Sequence, residues 1–225
     1  MFDAIAGKYD FLNHLLSAGI DKRWRKRAIA SLHLTGTERI LDLCTGTADL
    51  AIAARTARPA AARVVGVDFA GAMLRIGLDK VRAKGLETAV TLIRGDATRI
   101  PLADRSVDGV TIGFGIRNVE HTSAACDEIF RVTAPGGRLA ILEFAVPTLP
   151  LVRQAYSFYF NVVLPAIGKI VSRHNAAYGY LPASVGAFAS PDDFVKLLRQ
   201  SGFDEVIASP LTLGIVYLYT ARKSG

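Results

Sequence analysis

Five short runs of β-branched and apolar residues are separated by stretches of helical periodicity. The runs are "RILDLC" (39–44), "RVVGVD" (63–68), "VTLIR" (90–94), "VDGVTIG" (107–113) and "RLAILEF" (138–144), and the helical stretches cover 47–57, 70–84 and 121–132. Segments this short and apolar, each bounded by turn formers or charges, read as sheet strands. Their alternation with helices constrains the chain more than any other feature. It requires a parallel sheet with helices over both faces. "APGGRL" (134–139) is expected to turn the chain into the fifth strand.

The pattern changes towards the end. Ser190 and Pro191 open a helix that runs to Gln200 and stops at Gly202. "FDEVIAS" and "LTLGIVYLYTARK" follow with only Pro210 between them, which predicts an antiparallel hairpin. The expectation is an α/β domain over 1–225 whose seven-stranded, mostly parallel sheet ends in that hairpin. Residues 145–189 break the alternation and carry clustered aromatics, so they are expected to form a helical lid inserted over the carboxyl ends of the strands.

Composition narrows the setting. The chain carries a net charge of +7, and "DKRWRKR" (21–27) alone holds five basic residues and one acid. Such a patch reads first as a solvated helix face, with nucleic acid or anionic lipid as the alternatives. The most apolar stretch, 158–171, is interrupted by Asn161, Pro165 and Lys169 and is shorter than the roughly 20 residues of a membrane-spanning helix. Two cysteines, Cys44 and Cys126, suit reduced, buried thiols in a cytoplasmic protein, and no basic-then-apolar leader opens the chain. The four histidines, at 14, 33, 121 and 174, lack metal-ligand spacing, so no metal is expected.

Ligands in open α/β sheets bind beyond the carboxyl ends of the strands. There the chain reads "LDLCTGTADLA" (41–51), with no lysine to grip a phosphate. A dinucleotide frame would fall on Gly46, Ala48 and Ala51, and two of its three glycines are missing. Asp42, Asp68 and Asp96 instead end three successive strands. Asp68 suits both hydroxyls of a ribose, while Asp96, with the backbone of Ala97, suits an adenine edge. Three such acids without a phosphate grip describe adenosine with a cationic tail, which is S-adenosyl-L-methionine.

Several stretches resemble the UbiE/Coq5 family of quinone-biosynthesis C-methyltransferases: "FDAIAGKYDFLNHLLSAGIDKRWRKRAI", "LDLCTGTADLA", "FGIRNVEH", "PGGRLAILEF" and "YGYLPASV". The resemblance runs from Phe2 to about Lys223. It implies a Rossmann-like class I methyltransferase fold, with Thr47, Asp68, Asp96 and Ala97 binding S-adenosylmethionine and Gly113 contributing only backbone. Gly46 and Phe69 join the expected cofactor set. Ala48 stands where relatives generally have glycine. Alanine costs little there provided its φ is negative at the helix start.

The reaction implied is C-methylation of a polyprenyl quinol, demethylmenaquinol first, with a 2-polyprenyl-6-methoxybenzoquinol as the alternative. Arg117 and Asn118, past the fourth strand, are the catalytic candidates. Arginine keeps its proton, so it would stabilise a phenolate or orient a water rather than act as a base. The alternative for Arg117 is a brace paired with Glu120 or Glu143. Tyr9, Tyr178 and Tyr180 are the substrate-side candidates, against simple lid packing, and the general base is unassigned. An RNA methyltransferase would use the 22–27 patch, but no appended RNA-binding module accompanies it, so no nucleic-acid partner is expected. A non-catalytic lipid-binding module is disfavoured by the intact cofactor set. A lipid quinol gives the apolar 155–171 stretch and the basic patch a shared place on an anionic membrane surface, peripheral to the inner face. A homodimer is the remaining partner expectation.

Overall fold

The computed structural model describes residues 19–57, 59–159 and 183–225. The expected strands form as β1 (Arg39–Leu43), β2 (Arg63–Asp68), β3 (Val90–Arg94), β4 (Val107–Gly113) and β5 (Thr133–Phe144), followed by β6 (Asp204–Leu211) and β7 (Val216–Arg222). They make one sheet in the order β3-β2-β1-β4-β5-β7-β6. β1 to β5 run parallel, whereas β7 pairs antiparallel with both β5 and β6. The order reverses between β1 and β4, so the connections after these two strands diverge to opposite faces and leave a crevice at their carboxyl ends.

Helices α1 (Asp21–Ser31), α2 (Asp49–Thr56), α3 (Gly71–Ala83), α4 (Thr122–Val132), α5 (Pro150–Phe158) and α6 (Pro191–Gln200) surround the sheet. The two-residue period of a strand divides the core between its faces. Ile40 joins Trp24, Ala28, Ile29 and Leu50 of α1 and α2 on one side. Leu41 and Leu43 join Ile129 and Phe194 of α4 and α6 on the other. Asp42, between them, therefore points towards α2, which decides what it does below.

Two expectations about turns are corrected. Pro210 lies inside β6, opposite Tyr217, and the reversal comes at Thr212–Gly214. β6 is an edge strand, where proline's missing N–H faces no partner. "APGG" is no separate turn either: β5 already pairs at Thr133, and the register shift before Arg138 absorbs it as a bulge. Ser190 caps α6 by accepting the Asp193 N–H, as its sequence indicates.

Of the expected lid, residues 160–182 lie outside the described residues, and with them Tyr178 and Tyr180; Tyr9 does too. Among the described residues no helix is long and apolar enough to cross a membrane.

Candidate active site

The loop after β1 is coiled by three residues with left-handed backbone: Cys44 (φ 53°), Gly46 (φ 55°) and Ala48 (φ 65°). The value at Ala48 corrects the expectation of a negative φ. An alanine there carries roughly 1–2 kcal/mol of strain that glycine would not. Packing offsets part of it. Ala48 is fully buried, and a Cβ on Gly77 of α3 would come within 3.2 Å of its methyl group, so Gly77 is what lets α3 close over the loop. The first turn of α2 is nonetheless intact, with Ile52 N–H donating to Ala48 O at 2.9 Å.

Asp42 supports this loop from beneath. It accepts hydrogen bonds from the hydroxyls of Thr111 (2.7 Å) and Thr45 (2.5 Å) and from Ala51 N–H (3.0 Å). Burial pushes its carboxyl up, those donors and nearby Arg25 pull it back, and the net position is about 6. Only 1% of the residue is exposed. Asp42 thus borders a narrow cavity as a loop support, with both oxygens already engaged.

Asp68, at the end of β2, faces a wider cleft. Its carboxylate accepts Gly46 N–H and Ala70 N–H, both at 2.8 Å, which ties the loop after β1 to the start of α3. Phe69 follows at the rim with 70% of its surface exposed, and the Arg94 guanidinium sits 5.7 Å from its ring centre. Asp96, past β3, accepts both the N–H and the hydroxyl of Thr98 on one oxygen, at 2.8 Å each. These bonds, the N–H foremost, hold its carboxyl below the ordinary range. Oδ2 is the oxygen they leave over.

The wide cleft measures about 380 Å³ and brings together Asp68, Phe69, Asp96 and Ala97 with Gly46. A second, narrow cavity of about 40 Å³ holds Asp42, Thr47 and Gly113, and shares Cys44 and Gly46 with the first. All eight expected cofactor residues therefore border one or both of two adjoining cavities that share Cys44 and Gly46. The lining of the wide cleft also includes residues the sequence reading did not place at the cofactor, above all Met73, Glu120 and His121. Met73 could have been found from its place in the first turn of the helix that "VDFAGA" leads into. In sequence Glu120 reads only as a partner for Arg117 and His121 only as one of four scattered histidines, and nothing but adjacency to "FGIRN" points to the cleft.

Arg117 and Asn118 part company. Asn118 borders the wide cleft. Arg117 borders neither cavity: its side chain is 4% exposed and its Nη1 donates to Glu143 Oε1 and to Phe114 O, both at 2.6 Å. Nε donates to Ser184 Oγ at 3.3 Å, and the guanidinium lies over the Phe144 ring. The bracing alternative, with Glu143 as partner, describes this geometry. What it braces is strained, because Phe114 has φ 60°. Gly115, which also borders the wide cleft, lets this segment approach the β1 loop: a Cβ there would fall 2.3 Å from the Cys44 Cβ. Cys44 is half-buried rather than buried as expected, and burial, with the carboxylates around it, pushes its thiol well up from the ordinary range. Among the described residues no cluster of His, Cys, Asp and Glu could hold a metal ion.

Comparison with known proteins agrees with this geometry. The model of the ubiE/COQ5 methyltransferase family matches residues 1–223. The "Ubiquinone/menaquinone biosynthesis C-methyltransferase UbiE" of Geotalea daltonii is 45% identical, covering 99% of this chain and 94% of that protein. The "Demethylmenaquinone methyltransferase" of Bacteroides fragilis is 39% identical over 99% of this chain and 91% of its own length. A putative S-adenosyl-L-methionine-dependent methyltransferase of Methanococcus maripaludis shares the fold, with a TM-score of 0.68 at 19% identity, covering 99% of this chain and 94% of its own. With the strand order, the loop and the three strand-end acids in place, the chain belongs to the ubiE/COQ5 methyltransferase family.

Proposed function

We propose that this enzyme methylates a ring carbon of a lipid-tailed quinol, demethylmenaquinol foremost. Asp96 and Ala97 would hold the adenine of S-adenosylmethionine and Asp68 its ribose. Gly46, Thr47 and Gly113 would border its amino-acid tail. The observation that carries this reading is the pair of cavities: a cleft of about 380 Å³ walled by two strand-end acids, adjoining at Gly46 and Cys44 a small cavity bordered by Thr47 and Gly113.

Bound there, S-adenosylmethionine supplies an electrophilic methyl group to a quinol carbon beside a deprotonated hydroxyl. The chain's part is alignment, which can be worth roughly 7–11 kcal/mol. Asp68 fixes the loop and the start of α3 in one bond pair. The Arg117–Glu143 pair holds the end of β4, so Arg117 acts as a positioning residue, and Asn118 is the neighbouring side chain at the cleft. Tyr9, Tyr178 and Tyr180 remain the substrate-side proposal. Lys22, Arg23, Lys26 and Arg27 lie exposed on α1 and would meet an anionic membrane from which the quinol is drawn.

Quinone analysis of the native host lacking this gene tests the substrate. Accumulation of a demethylated naphthoquinone precursor is the expected result. A demethylated benzoquinone would move the assignment to the other pathway, and an unchanged quinone pool would overturn it.

A further inference from the structure

The basic run on α1 hides one residue that does not behave like the others. Lys22, Arg23, Lys26 and Arg27 are exposed, whereas the Arg25 side chain is 17% exposed and borders the narrow cavity together with Gly46, Thr47 and Gly113. Its guanidinium is held from two directions. Nη1 meets Asp49 Oδ2 at 2.7 Å, and Nη2 meets Asp21 Oδ2 at 3.0 Å. The other Asp49 oxygen meets Lys80 Nζ at 2.7 Å, and the same ammonium donates to Thr47 Oγ1 at 2.9 Å.

This series of two acids and two cations ties α1, α3 and the loop together and fixes the plane of the arginine fork. Burial pushes the Asp49 carboxyl up, but Arg25 and Lys80 overcome it and hold it below the ordinary range. Asp49 thus stays charged and keeps the fork in place. Arg25's hydrogen bond to Asp49 and its ion pair with Asp21 use only part of a guanidinium's five N–H donors. The cavity it borders, about 40 Å³, is a few times the 10–15 Å³ that one water needs. That is room for a group the size of an amino-carboxylate. The other acid bordering it, Asp42, is engaged by Thr45, Thr111 and Ala51.

We infer that Arg25 binds the α-carboxylate of the cofactor's amino-acid tail, and so makes the site select adenosine ligands that carry one. A planar, pre-oriented fork suits a carboxylate as a lysine does not. The inference rests on the cofactor placement proposed above, and its test separates the two.

Titration calorimetry compares S-adenosylhomocysteine, which has the tail carboxylate, with 5′-methylthioadenosine, which lacks the whole amino-acid end. Arg25→Ala should weaken the first at least tenfold and change the second less than threefold. Arg25→Lys keeps a cation between Asp21 and Asp49 and carries the same test if the alanine variant fails to fold; it should show the same ordering with a smaller loss. Equal losses for both ligands would make Arg25 a brace and overturn the inference, as would no loss for either. Failure of the unsubstituted protein to bind either ligand would overturn the cofactor placement itself.

Discussion

Asp42 illustrates how a strand-end acid can serve a cofactor site from below it. In sequence it is indistinguishable from Asp68, since both close an apolar run and precede a turn. The two-residue period separates them: Asp42 points under α2 and accepts three internal donors, while Asp68 stands at the cleft wall. The burial of Asp42 has a consequence for stability. Its folded position of about 6 lies above the ordinary 3.8, so between these values the folded chain holds the proton more tightly than the unfolded one. Its contribution is therefore present at low pH and lost as pH rises through about 6. Asp42→Asn does not titrate, and can still accept from Thr45 and Ala51 while donating to Thr111. Relative to the unsubstituted protein, the asparagine variant should gain about 2 kcal/mol of stability between pH 4.5 and pH 7, at about 1.4 kcal/mol per pH unit. Urea denaturation across that range measures it, and parallel stability curves would contradict the assignment.

Between elements, the brace from the end of β4 to the end of β5 sets the geometry of the cleft's far wall. Arg117 anchors the carbonyl of strained Phe114, and Phe114 in turn stacks on Phe144 at 4.6 Å and meets Trp24 of α1 at 6.0 Å. Removing the cation leaves Glu143, which is wholly buried, without its charge partner, a change that typically costs about 3–5 kcal/mol. Arg117→Ala should lose that much in denaturant melts and lose turnover with it. The double replacement Arg117→Met, Glu143→Leu should recover much of the stability but not the turnover. A single variant within 1 kcal/mol of the unsubstituted protein would refute the brace. This part of the site was only half legible. The sequence offered Glu120 and Glu143 as partners for Arg117 but held nothing to choose between a brace and a ring-side role, because the choice depends on where β5 ends beside β4. Arg25 was less legible still. Five basic residues in seven look alike until the helix phase turns one inward.

For the whole molecule, alternation carried the fold: parallel strands buried on both faces leave continuous apolar runs, and these were readable, whereas their order in the sheet was not. The hairpin was readable as two strands but not at its turn, because an edge strand tolerates the proline that a central strand would not. The two adjoining cavities were readable as three strand ends. Their far lining, Met73, Glu120 and His121, was not, since a cleft between two crossover connections gathers residues with no common spacing. The central claim is that this site aligns a methyl donor with a reduced quinol ring. Transfer of labelled methyl from S-adenosylmethionine to a short-tailed demethylmenaquinol, by the purified protein, tests it most directly. Label should appear on a ring carbon with the reduced quinol and not with the oxidised quinone, whose ring lacks the ionisable hydroxyl. Label that reaches RNA but not the quinol, or the oxidised ring as readily as the reduced one, would contradict it.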